Sequence, residues 1–301
     1  VPTGVHPYVG RFAPSPTGDL HLGSLYAAAA SFLDARACGG RWLLRIEDLD
    51  RPRVVPGAAA RIQATLERFG FEWDGPILRQ SDRIERYAAA LSRLQRAGLS
   101  FDCSCSRRDI EGATRYPGTC RAGAAQTGAA TGRRLRVEPR SIAFSDRIQG
   151  EFRQDVAAAS GDILMQRRDG IPAYVLAVVV DDAEQGISDI VRGADLLDDT
   201  PRQIYLQEAL GLPRPRYAHV PALTEADGAK LAKSRRSVSL EAGRPETQLF
   251  LVLGLLGLRP PAGLERAGIG ALWTWAFASW DAARVPRRLF LPVNADSRSR
   301  L

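Results

Sequence analysis

The sequence predicts an α/β protein built on a parallel sheet, carrying an inserted module and finishing in helices. Three observations predict it. Strand-like and helix-like stretches alternate through roughly the first hundred residues, the signature of crossover connections between parallel strands. The pattern then breaks into short β-like runs around a cysteine-rich stretch. Beyond Ser239 the pattern turns helical again.

The elements follow in order. Tyr8 to Ala13 reads as a strand, and Pro14-Ser15-Pro16-Thr17-Gly18 as a rigid turn. A helix pattern runs from about Leu22 to Ala37 and is stopped by Gly39-Gly40. A second strand, Trp42 to Ile46, leads into the acidic cluster Glu47-Asp48-Leu49-Asp50. Helices are predicted over Ala58 to Phe69 and Arg83 to Ala97, the second with Asp82 and Glu85 in capping-box spacing and Gly98 at its end. Phe101 to Cys120 is cysteine-rich, Gly123 to Gly132 is a low-complexity loop, and short β runs span Leu135 to Arg167 before an Asp169-Gly170 turn. Tyr174 to Val180 reads as a sheet strand again. The next helix runs from Pro201 to Leu210, with Thr200 as its cap and Pro201 in first position. Helices resume from Pro245 and over Leu272 to Ala283, and Leu249 to Leu258 reads as buried.

Composition excludes several functions. The 301 residues carry 41 Lys+Arg against 34 Asp+Glu, a net charge of +7. Only Lys230 and Lys233 are lysines; the other 39 basic residues are arginines. An arginine excess suits a polyanionic partner, although most of these arginines fit a general compositional bias as well. Three scattered histidines leave no room for a His-rich metal centre. Four cysteines cannot staple a chain of this length, and the N-terminus has no apolar signal segment, so a cytoplasmic location is expected. Walker A, GxGxxG and GxSxG patterns are all absent.

Two motifs carry chemistry. In Arg11-Phe12-Ala13-Pro14-Ser15-Pro16-Thr17-Gly18-Asp19-Leu20-His21-Leu22-Gly23-Ser24 a strand ends, a Pro/Gly turn follows, and a helix opens with His21 and Gly23 in its first turn. Free N–H groups there attract anions, and a histidine beside them can donate to a phosphate oxygen as charge develops. The second motif is Lys230-Leu231-Ala232-Lys233-Ser234. A chain that uses arginine almost everywhere keeps two lysines three residues apart, where compact ammonium groups reach into a crowded phosphate site.

At these residues the chain resembles the class I aminoacyl-tRNA synthetases: the first motif looks like their HIGH region and KLAKS like their KMSKS loop. RFAPSPTG, RIEDLD (Arg45 to Asp50), VVVDD and IVRGADLL (Ile190 to Leu197) narrow the resemblance to the glutamyl-tRNA synthetase family, over nearly the whole chain. It implies a Rossmann-like catalytic domain whose first half is residues 1–98 and whose second half, with the KLAKS loop, is 173–238. Between them, 99–172 would be an acceptor-binding-like module with a zinc site. Residues 239–301 would form a helical stem-contact-like region, with no room for an anticodon-binding domain. The best match is thus a truncated branch of the family, which activates glutamate with ATP and Mg2+ and attaches it to the queuosine base in the anticodon of tRNA(Asp). A short enzyme charging the 3' end of tRNA(Glu), and a non-catalytic tRNA-binding module, are the competing readings. A monomer is expected.

The resemblance also implies roles. Arg11 would pair with a substrate carboxylate, with Ala13 and Ser15 lining the same pocket. Glu47 would receive the amino group, Tyr174 would pack on and hydrogen-bond the amino acid, and Arg192 would supply a second guanidinium fork. His21, Gly23, Lys233 and Ser234 would bind ATP, with His21, Lys230 and Lys233 as the catalytic set. Val178 and Leu196 replace a polar and a bulky residue common in the full-length enzymes, so glutamate is expected to bind with a KM above the low-micromolar range. Cys103-Ser104-Cys105, Tyr116 and Cys120 could be free buried thiols or a metal site; the family uses this arrangement for zinc, making Cys103, Cys105, Tyr116 and Cys120 the expected ligands. Cys38 is expected to be a plain buried thiol.

Overall fold

A computed structural model describes residues 7–106, 108–124, 128–225, 240 and 243–293. In chain order it contains β1 (Val9–Phe12), α1 (Leu22–Ala37), β2 (Arg41–Ile46), α2 (Ala58–Arg68), β3 (Leu78–Arg79), α3 (Ile84–Arg96), β4 (Ser100–Cys103), β5 (Gly132–Leu135), β6 (Ser141–Asp146) and β7 (Gly150–Asp155). There follow α4 (Val156–Ala159), β8 (Ile163–Gln166), α5 (Tyr174–Glu184), β9 (Asp189–Gly193), α6 (Thr200–Ala209), β10 (Arg216–Val220), β11 (Ala222–Thr224), α7 (Pro245–Leu255), α8 (Ile269–Ser279) and β12 (Phe290–Pro292).

β1, β2 and β3 pair in parallel, as do β9 and β10, which put His219 opposite Arg192. β9 lies beside β1, where the Ser188 N–H donates to the Val9 carbonyl at 3.0 Å. The central strands therefore run β3-β2-β1-β9-β10, extended by β6 in parallel and β7 antiparallel. Strand order reverses between β1 and β9. A crevice opens at the carboxyl ends of the strands at such a switch point, and ligands bind there. A separate antiparallel sheet, β4-β5-β8, carries the cysteine-rich stretch.

Helices cover both faces of the central layer. On one, Ala28, Ala29 and Ala30 of α1 are fully buried, and Phe32 meets Trp42 and Trp273 with ring centroids 5.0 Å apart in each case. Alanine favours the helix and lets α1 approach the sheet closely. A side chain at Gly40 would strike the Tyr8 carbonyl oxygen at 2.6 Å, so the glycine after α1 is needed for β2 to run back beside β1. Trp273 also donates to the Phe69 carbonyl at 2.8 Å, and α8 packs into the core through Leu272, Trp273 and Ala276. On the other face α3, α5 and α6 bury Leu91, Leu94, Val179 and Ile204.

The structure corrects five readings of the sequence. Tyr174 to Val180 is the start of helix α5, not a strand; Leu176 through Asp182 are all buried, so the helix shows no polar face and its valines mimic a sheet run. The Asp82/Glu85 capping box does not form, because a short 3₁₀ turn over Gln80–Arg83 precedes α3 and leaves Arg83 at the cap. Thr200 lies inside α6, with Asp199 at the cap, and its hydroxyl is turned to other partners described below. The last helix ends at Ser279, before Ala283. Cys38, just past the end of α1, is exposed. Among the described residues, no helix is long and apolar enough to cross a membrane.

Candidate active site

His21 caps α1 with its ring. Nδ1 accepts from the backbone N–H groups of Gly23 (3.1 Å) and Ser24 (3.3 Å). Burial lowers the imidazole pKa, so the ring is neutral near pH 7 and its proton resides on Nε2 as a free donor. A side chain at Gly23 would press on this ring at 3.0 Å, which explains the glycine. His21, Gly23 and Ser24 line a cavity of about 210 Å³ with Gly193, Asp195 and Val220. Lys230, Lys233 and Ser234 lie outside the described residues.

Next to it the strand ends bring a set of charges together. Arg11 lies on β1, one residue before its end, and is 4% exposed; its Nε donates to Asp182 Oδ1 at 3.1 Å. The same oxygen accepts from Arg45 Nη2 at 2.8 Å, and Arg45, wholly buried, also reaches Gln185 and, at 3.5 Å, Glu47. Burial alone would raise the Asp182 pKa, but Arg11 and Arg45 outweigh it and hold the carboxyl below its usual range. Glu47 differs. Burial dominates over Arg45 and Arg11 and pushes its pKa up to about 7, so this carboxylate is short of positive partners.

The Glu47 backbone N–H donates to the Pro14 carbonyl at 3.0 Å, which ties the acidic loop to the Pro/Gly turn. Ser15, Glu47 and Tyr174 consequently line one cavity of about 260 Å³. Tyr174, first residue of α5, is 40% exposed overall. Burial and the Glu47 charge raise its phenol pKa, while Arg192 and Arg11 lower it, so all three charged groups act on one hydroxyl. Ala13 directly follows β1.

Arg192, on β9, is 6% exposed. Nε donates to His219 Nε2 at 3.0 Å, and Nη2 to Thr200 Oγ1 at 2.8 Å; Nη1 has no hydrogen-bond partner. The expected open fork is therefore narrower than the sequence implies, since protein groups hold two of its three nitrogens. A buried donor without a partner suits an anionic ligand.

The structure thus puts Ser15, Glu47 and Tyr174 on one cavity, with Arg11 and Arg192 buried close enough to act on the Tyr174 hydroxyl, and His21 and Gly23 on another. Sequence reasoning missed Asp182, Asp146 and His219. The paired aspartates closing an apolar run were the available signal for Asp182, because buried carboxylates require cationic partners. His219 could only be found from its register opposite Arg192.

Apart from this crevice, the sulfurs of Cys103, Cys105 and Cys120 lie within 4.8 Å of one another. Cys105 and Cys120 Sγ are 3.5 Å apart, and the Tyr116 hydroxyl is 3.4 Å from Cys103 Sγ. Thiolates around a tetrahedral zinc stand roughly 3.8 Å apart, given Zn–S bonds of about 2.3 Å. Three thiols and a phenol in this arrangement fit that ion. The Arg134 guanidinium lies 3.8 Å over the Tyr116 ring and donates to Cys103 Sγ at 3.3 Å.

This topology, with a histidine-capped helix following the first strand and buried arginines on the strands beside it, fits a class I synthetase catalytic domain. Residues 8–267 match the catalytic domain of class I tRNA synthetases for E and Q, and the chain belongs to that family. It is 58% identical to the glutamyl-Q tRNA(Asp) synthetase of Pseudomonas aeruginosa over 287 residues, 95% of this chain and 97% of that protein. The glutamyl-Q tRNA(Asp) synthetase of Aromatoleum aromaticum is 52% identical over 290 residues, 94% of this chain and 92% of the relative. A crystal structure of glutamate-tRNA synthetase from Elizabethkingia anophelis shares the fold, with a TM-score of 0.81 at 24% identity, over 97% of this chain and 69% of that one.

Proposed function

We propose that this enzyme activates L-glutamate with ATP to glutamyl-adenylate and transfers the glutamyl group to the queuosine base in the anticodon of tRNA(Asp). One observation carries the substrate assignment: two buried arginines, Arg11 and Arg192, both act on the hydroxyl of Tyr174, which shares a cavity with an under-neutralised carboxylate, Glu47. A dicarboxylic amino acid matches this set. Its carboxylates meet the guanidinium groups and its ammonium meets Glu47. Tyr174 and Ser15 complete the pocket wall.

Adenylate formation joins a carboxylate oxygen of glutamate to the α-phosphorus of ATP and releases pyrophosphate. No protein nucleophile takes part, so the residues act by positioning and charge stabilisation. The Nε2–H of His21 donates to a phosphate oxygen as charge develops, while Lys230 and Lys233 neutralise the departing pyrophosphate and Ser234 and Gly23 border the nucleotide. Mg2+ accompanies the ATP. The acceptor on the tRNA then displaces AMP from the glutamyl carbonyl.

Residues 99–172 serve as the tRNA-facing module and 239–301 as a stem-contact region, attached to the catalytic halves 1–98 and 173–238. A cytoplasmic monomer is the working state. Cys103, Cys105, Tyr116 and Cys120 hold one structural Zn2+. Metal analysis of protein prepared without chelator is expected to find one zinc per chain, and Cys103→Ser to lose it and to lower the melting temperature. Protein without zinc would remove that assignment.

Glutamate-dependent ATP–pyrophosphate exchange tests the activation step. Exchange is expected at a glutamate KM above the low-micromolar range, because Val178 and Leu196 stand where the full-length enzymes commonly carry a polar and a bulky residue. Absence of exchange in the presence of glutamate, ATP and Mg2+ would leave only a binding role.

A further inference from the structure

We infer that Asp146 and His219 form a relay that positions Arg192 and sets the single guanidinium nitrogen it offers to the substrate. The inference rests on the proposal that Arg192 meets a carboxylate of glutamate. It adds two residues that touch no substrate.

The geometry is closed at every step. Asp146 ends β6 and is 2% exposed; its Oδ1 accepts from the backbone N–H groups of Ile148 (3.0 Å), Gln149 (2.8 Å) and His219 (3.1 Å). That leaves Oδ2, which lies 2.6 Å from His219 Nδ1. The other ring nitrogen, Nε2, lies 3.0 Å from Arg192 Nε. Arginine can only donate, so Nε2 must be an acceptor and the proton must sit on Nδ1, donated to Asp146. Burial, with Arg192 and Arg11 adding to it, outweighs the pull of Asp146 and lowers the imidazole pKa to about 4, consistent with a neutral ring. Thr200 Oγ1 takes Nη2 at 2.8 Å. Nη1 remains, without a partner.

A carboxylate that fixes a histidine tautomer so that the far nitrogen can work is a known device in catalysis. Here the far nitrogen holds an arginine instead of abstracting a proton. Asp146→Asn isolates the effect. The backbone donors keep the amide oxygen in place, so the amide NH₂ faces Nδ1 and can only donate. The ring must then move its proton to Nε2, where it opposes Arg192 Nε–H.

The test has two arms. In protein carrying 15N-labelled histidine, the His219 ring is expected to show a protonated Nδ1 and a bare Nε2 at neutral pH. In ATP–pyrophosphate exchange, Asp146→Asn is expected to raise the glutamate KM about tenfold or more, the loss of one charge-assisted hydrogen bond, with the ATP KM held within about twofold. Thr200→Val removes the hydroxyl that takes Arg192 Nη2 and that also lies 3.2 Å from His219 Nε2, while leaving the Asp146–His219 contact in place, and is expected to shift the glutamate KM in the same direction. A proton found on Nε2 in the wild type overturns the relay, as does a glutamate KM unmoved in both folded variants or moved together with that of ATP. Failure of the activation reading is distinguishable: the wild type would then lack glutamate-dependent exchange, while the tautomer measurement still reports on the relay.

Discussion

Asp182→Asn is expected to destabilise the fold by about 3–5 kcal/mol and to abolish glutamate activation even where the protein still folds. Oδ1 of this carboxylate holds both Arg11 and Arg45, and the three side chains are no more than 5% exposed. A neutral amide would leave two guanidinium groups buried against each other with too little negative charge. Breaking such a pair from one side costs more than the pair itself contributes, because the remaining charge is stranded away from water. Arg11 would then turn toward Glu47, a buried carboxylate on which both Arg45 and Arg11 already act, and so close the ammonium position. Denaturant unfolding and exchange kinetics on the same preparation check both halves. An unchanged unfolding midpoint would show that Arg11 and Arg45 do not depend on Asp182.

The second large effect is a pH dependence carried by Glu47. Its carboxyl titrates at about 7 in the free protein because burial outweighs Arg45 and Arg11. The sign follows from which form binds: only the carboxylate pairs with an ammonium. The protonated fraction grows as pH falls through 7, so glutamate affinity is expected to fall about tenfold from pH 8 to pH 6, one factor of ten per unit below the pKa. Above pH 8 the dependence flattens. Glu47→Gln is expected to erase this profile and to raise the glutamate KM on the order of a hundredfold, the loss of one buried ion pair. Exchange measured from pH 6 to 8 at saturating ATP reads both; a flat wild-type profile would show that Glu47 is already ionised or does not meet the ammonium.

Much of the fold was legible because periodicity and punctuation agreed. α1 appears over the predicted residues, since an alanine-rich stretch lies between a capping histidine and a glycine pair. α5 was misread for the opposite reason. Its residues are buried on all sides, so neither the helical nor the strand period shows, and its valines tip the reading to a strand. The candidate site was legible where residues sit in continuous motifs, as with Arg11, His21 and Glu47. The partners that hold those residues were not. Asp182 comes from a helix 171 residues away from Arg11, and Asp146 reaches Arg192 only through His219 on a neighbouring strand. Such couplings are fixed by sheet register, and strand order cannot be read locally. The number of lysines was more informative than the net charge, though Lys230 and Lys233 fall outside the described residues.

Transfer of labelled glutamate tests most directly that this synthetase acts on an anticodon base. With ATP and Mg2+, label is expected to pass to tRNA(Asp) that contains queuosine, and not to the same tRNA lacking it, nor to tRNA(Glu). Label on tRNA(Glu), or on tRNA(Asp) irrespective of its queuosine, would contradict that assignment.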